Sequence, residues 1–176
     1  MALCAVLAAL ALGLSTLENL FPVTALVPVP GVKLGLANIV TVFALYRLGA
    51  PEALAILLVR CALGGLFAGN VSALLFSTLG GLCAMGVMIL LRRWRRLSVY
   101  GVSIGGAAAH NIGQMAAAVI TLGSTMVLGY LPFLLAVSLF TGTLTGFVTA
   151  LLLRAGAAAI VGLILAGAVL PRGLAA

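Results

Sequence analysis

The chain has 176 residues, of which 65% are apolar and only 6% charged, with nine Lys and Arg against two acidic residues. A soluble domain of this length cannot cover its surface with so few charges, and a mean hydropathy of +1.39 excludes one. The net charge of +7 therefore reads as an orientation signal for a membrane protein and not as a nucleic-acid surface, because Lys and Arg are retained in cytoplasmic loops.

Long apolar runs without strand-type alternation predict membrane helices, each needing roughly 20 residues to cross about 30 Å of hydrocarbon. Residues 2–17 form the first, rich in alanine. Without a basic leader or a small-residue cleavage site it reads as a retained helix, not a signal peptide. Ala5 and Ala9, four residues apart, give a face that another helix can approach closely. Glu18 and Asn19 end this helix, and a proline-rich loop over residues 21–31 follows.

Pro28, Pro30 and Gly31 shape the end of that loop. The second span is expected over residues 32–48, with Lys33 at its mouth. A lysine at a helix N-terminus meets the positive end of the dipole. Something negative should stand opposite it, either Glu18 or a bound anion; an interfacial Glu18–Lys33 salt bridge is the plainer reading. Asn38 and Thr41 share one face of this span at a spacing of three.

Pro51 and Glu52 start the third helix, as the first turn prefers. It carries Arg60 near its middle, with Ile56, Gly64 and Phe67 on the same face, and ends at Gly69-Asn70. A charge at that depth costs at least about 2.5 kcal/mol on insertion scales and needs a partner or a watery cavity. The fourth span covers residues 71–91 and stops at Arg92-Arg93-Trp94-Arg95-Arg96.

Residues 97–153 contain no formal charge and provide two further spans, 99–122 and 131–153, the latter closed by Arg154. His110, Asn111 and Gln114 fall within one helical arc of the fifth span, continued by Ser103 and Ala107. Residues 155–176 form an apolar Ala/Gly-rich tail, open to three readings: a seventh span, a surface helix, or an extension of the sixth. The domain division is thus 1–154 for the spans and 155–176 for the tail.

The arginine cluster at 92–96 should be cytoplasmic, which places Arg47, Arg154 and the N-terminus on the same side. Cys4, Cys61 and Cys83 lack paired spacing and read as small buried hydrophobes. The chain has no Asp, a single His, and Glu18 and Glu52 on opposite sides of the membrane. Neither an acidic metal–diphosphate site nor a nucleotide-binding loop can be assembled from these residues, so no catalytic residue, metal or cofactor is expected. Each intramembrane polar residue also has a bland reading as interhelical packing glue. The Gly-x-x-x-Gly pairs 31/35, 65/69, 101/105 and 142/146 point to close helix packing.

Pro30-Gly-Val-Lys33-Leu-Gly-Leu-Ala-Asn38-Ile-Val-Thr41, Arg60-x-x-Leu-Gly64, Gly101-Val-Ser-Ile-Gly-Gly-Ala107 with His110-Asn-Ile-Gly-Gln114, and Tyr130-Leu-Pro132 with Thr141-Gly142 resemble the Gx transporter family. That family is also labelled heptaprenyl diphosphate synthase component I, and the resemblance covers residues 1–154. It is similar to the substrate-binding S components of energy-coupling factor (ECF) transporters. The resemblance implies a six-helix membrane bundle with an outward-facing substrate site under the first loop. It also implies docking, through small residues on the first helix, to a coupling subunit and two ATPases in the bacterial cytoplasmic membrane. The chain departs from the family pattern in lacking basic residues before the first span and in its tail.

The sequence thus leads to a non-enzymatic S component that takes up a small anionic or amphipathic molecule. Lys33, Arg60 and His110 would supply positive charge, and Asn38, Thr41, Asn111 and Gln114 the pocket wall. Glu18, Pro28, Pro30 and Gly31 would form the lid, and Ala5 and Ala9 the docking face. The competing class is a membrane accessory subunit of prenyl diphosphate synthesis.

Overall fold

A computed structural model describes residues 2–20, 35–94 and 96–169. Six α-helices make up the described chain: α1 (Ala2–Leu20), α2 (Leu36–Arg47), α3 (Ala50–Ala68), α4 (Val71–Arg92), α5 (Val99–Leu122) and α6 (Leu131–Val169). A short 3-10 helix, Thr125–Tyr130, leads into α6. No strand occurs among the described residues, and the architecture is the all-α bundle that the apolar runs predict.

Three segments are long and apolar enough to cross a membrane: Ala50–Ala68, Val71–Arg92 and Thr125–Gly156. The exterior of the bundle is correspondingly apolar, with Leu66, Phe67, Ile120 and Phe140 all exposed, as a lipid-facing surface requires. Phe67, expected on the face of Arg60, is 72% exposed and belongs to this outer surface.

The second helix departs most from expectation. It begins at Leu36, four residues later than the span read from the sequence, and its twelve residues reach only about 18 Å at 1.5 Å per residue. Gly35 precedes it in the left-handed region, φ 79°, a conformation that costs an L-residue roughly 1–2 kcal/mol and glycine nothing. Gly35 therefore lets the chain turn into the helix inside the bundle. The described part of the tail, residues 155–169, continues α6 without a break to Val169.

Helix ends follow local chemistry. Pro51 and Glu52 occupy the first turn of α3. Asn70 accepts from Ser72 N at 2.9 Å and caps α4, and Ser98 caps α5. At one end of the bundle Arg92 donates from Nη1 to Leu45 O and lies over the Tyr46 ring, 5.2 Å from its centroid. The C-termini of α2 and α4 are thus joined at the arginine-bearing end. Just inside it sits the apolar core, where Val42, Leu45, Ile56, Leu57, Met85, Met88 and Val102 are buried.

Glycines bring α4, α5 and α6 into backbone contact. A methyl group at Gly113 would lie 2.6 Å from Leu79 O, one at Gly142 2.6 Å from Ile104 Cα, and one at Gly146 3.0 Å from Tyr100 Cα. The 142/146 pair therefore packs as its spacing implied, whereas Gly101, Gly105 and Gly65 face leucine side chains and Gly69 faces open space. Cys61 is buried, Cys4 partly so, and Cys83 is exposed, which corrects the uniform reading of the cysteines as buried hydrophobes.

Candidate functional site

A polar cavity of about 40 Å3 lies inside the bundle, and all six helices contribute to it. Ser15 and Glu18 come from α1, Asn38 from α2 with Gly35 just before it, Arg60 from α3, and Ser77 from α4. Ala107, His110, Asn111 and Gln114 come from α5, and Thr141 and Thr145 from α6.

Helix arithmetic sets its depth. Arg60 stands ten residues along α3 from Ala50, about 15 Å at 1.5 Å per residue. Asn111 is twelve residues from the start of α5, about 18 Å. Thr145 precedes Arg154 by nine residues, about 14 Å. The cavity therefore sits near the middle of a hydrocarbon layer about 30 Å thick, directly beyond the apolar core. The shortness of α2 makes this possible, because its N-terminus ends in the cavity wall and not at the far surface.

Arg60 is the main electrostatic feature. It is only 6% exposed, and its Nε has no hydrogen-bond partner among the described residues. The nearest polar contact is a long one, Nη2 to Cys61 Sγ at 3.9 Å. Ser77 donates to the same sulfur at 3.2 Å, and the thiol lies 3.4 Å from Ser77 O, so Cys61 ties α3 to α4 behind the guanidinium. Among the described residues no carboxylate pairs with Arg60. A buried charge left in this state is costly unless water or a ligand meets it.

Glu18 is also buried, 8% exposed, and accepts a hydrogen bond from the Gly35 amide at 2.7 Å. Its carboxylate thereby stands at the positive end of the α2 dipole; Lys33, the residue it was expected to face, lies outside the described residues. His110 and Gln114 pack over Gly80, where a methyl would come within 3.0 Å of His110 Cε1 and of Gln114 Cγ. Asn111 Nδ2 donates to Leu134 O at 2.8 Å, which leaves its Oδ1 for the cavity. Thr141 and Thr145 donate to the carbonyls of Val137 and Thr141, so their oxygens face the cavity as acceptors.

Of the residues singled out from the sequence, Glu18, Asn38, Arg60, His110, Asn111 and Gln114 come together here. Thr41 does not. Its hydroxyl donates to Ala37 O at 3.2 Å, and it is 1% exposed; the i−4 carbonyl satisfies it, one turn below the cavity. Lys33, Pro28, Pro30 and Gly31 lie outside the described residues. Ala5 and Ala9 are exposed on α1. Ser15, Ser77 and Thr145 are walls that the sequence reading passed over. Thr145 belongs to a buried polar stripe, Ser138, Thr141, Thr145 and Thr149, whose spacing of three and four residues is itself a helical signal.

A second cavity, of about 400 Å3, is lined by Leu7, Leu10, Val40, Phe43, Leu152, Ala155 and Gly156. Its walls are apolar, so of these two cavities the smaller, polar one has the recognition chemistry.

The helices and this cavity define a helical membrane protein with an interior polar cavity. The model of the family described as Heptaprenyl diphosphate synthase component I matches residues 7–152. The chain belongs to that family, whose members are Gx-type membrane proteins. No curated protein and no solved structure matches the chain.

Proposed function

We propose that this protein is the substrate-binding S component of an ECF-type uptake system in the bacterial cytoplasmic membrane. Its cargo is a small molecule, anionic or amphipathic, that enters the mid-membrane cavity from the end opposite the arginines. The observation that carries this reading is Arg60: a buried guanidinium, lining a polar cavity, with no carboxylate on it among the described residues. Intramembrane ionisable groups that face a cavity mark substrate sites. Binding there requires no nucleophile or metal, and the chain acts as a carrier and not as an enzyme.

Energy would come from partners, since no phosphate-binding loop occurs in the sequence. Exposed Ala5 and Ala9 on α1 offer the small-residue face on which a coupling subunit can dock, with its ATPases beneath it. The arginine-bearing end, and with it the N-terminus, faces the cytoplasm.

The family description supports a second reading, an accessory membrane subunit of prenyl diphosphate synthesis. Co-purification of the tagged protein from its native membrane separates the two. Recovery of a transmembrane coupling subunit with ATPases supports uptake, whereas recovery of a soluble prenyl synthase subunit overturns it in favour of the accessory role.

A further inference from the structure

The described walls of the cavity hold one guanidinium and one carboxylate, Arg60 and Glu18, each more than nine-tenths buried, with His110 beside them. Arg60 and Glu18 are not within ion-pair distance of each other. Glu18 spends Oε1 on the Gly35 amide, and its second oxygen remains. Near the middle of a membrane the charge balance of the occupied site decides what can bind, because a net charge there is poorly solvated. Counting Arg60 and Glu18 alone, a plain anion on Arg60 leaves one negative charge over. A dipolar molecule leaves none over and gives each buried charge a partner.

From these two opposite charges in one cavity, neither paired with a charge among the described residues, we infer that the occupant is a compact zwitterion, with its carboxylate on Arg60 and its protonated amine on Glu18. The inference rests on the reading of the cavity as a solute site and narrows the class of solute. Size agrees with it. A cavity of about 40 Å3 has room for a few waters, and so for a compact solute. The side-chain amides of Asn38 and Gln114 form no hydrogen bond among the described residues. Each offers both a donor and an acceptor to solvate the two ends of such a dipole.

The test uses the purified full chain in lipid nanodiscs and titration calorimetry with a matched trio: 4-aminobutyrate, butyrate and butylamine. Glycine, β-alanine and 5-aminovalerate vary the spacing between the charged ends. At least one of the amino acids should bind about tenfold tighter than butyrate or butylamine. Glu18→Gln keeps an acceptor for Gly35 and should erase the preference over butyrate, and Arg60→Gln should erase binding of butyrate and the preference of the amino acids over butylamine. Butyrate binding the wild type as tightly as the best amino acid overturns the zwitterion inference and leaves the anion reading standing. Absence of binding by all six at millimolar concentration also overturns it. The uptake reading is judged separately, by the partners that co-purify. Because the wild type alone discriminates the trio, the outcome does not depend on either variant folding.

Discussion

The Gly35 amide donates to Glu18 Oε1 at 2.7 Å, and this one bond fastens the end of α1 to the start of α2 inside the bundle. A hydrogen bond to a charged group contributes about 1.5–3 kcal/mol. Glu18→Ala should therefore lower stability by that order, while Glu18→Gln, which still accepts from the amide, should lower it by about half as much or less. Denaturant unfolding in micelles measures both. Equal stability of Glu18→Ala and wild type would show that the bond is not made.

Arg60 sets recognition against stability. Replacing unfavourably buried charge by a well-packed apolar side chain is commonly neutral or stabilising by about 1–4 kcal/mol. Arg60→Met, of similar length, should therefore melt at or above the wild-type temperature without ligand while losing ligand binding. A Met variant markedly less stable than wild type would mean that Arg60 has a structural partner and is not held in reserve for a solute.

The α4–α5 seam depends on Gly113, where a methyl would meet the backbone of Leu79 at 2.6 Å. Backbone cannot rotate away, so Gly113→Ala should cost about 1–3 kcal/mol by overpacking. Gly86 on α4 has nothing within 4 Å of such a methyl, and Gly86→Ala should be neutral or slightly stabilising. Comparing the two melting temperatures checks the helix register, and a neutral Gly113→Ala would contradict it.

Orientation is open to labelling. In a background with Cys4, Cys61 and Cys83 replaced, a cysteine at Arg93 should react with a membrane-impermeant maleimide only after the cytoplasmic side is opened. One at Ser124 should react in intact cells. The reverse pattern would invert the entry side of the cavity.

Much of this was legible in the sequence because lipid enforces simple rules. Apolar runs between Arg47, Gly69-Asn70, the arginine cluster and Arg154 mark helix ends, since no other conformation satisfies the backbone in hydrocarbon. The i, i+1, i+4 spacing of His110, Asn111 and Gln114 did bring them to one cavity. The late start of α2 was hidden, because Val32 and Leu34 are as apolar as the helix that follows, and only the conformation at Gly35 marks the boundary. Thr41 misled for a related reason: helical spacing from Asn38 gives a direction but not a depth, and its hydroxyl was satisfied by its own helix. Ser77 escaped notice because a lone serine in a membrane helix carries no periodic signal.

The role of Arg60 is the centre of this account, and ligand-induced thermal stabilisation tests it most directly. The purified chain is heated with a panel of small anions, amino acids and vitamins, wild type beside Arg60→Ala. At least one compound should raise the melting temperature of the wild type and leave Arg60→Ala unmoved. A compound that stabilises both equally would place the binding site elsewhere and remove Arg60 from it.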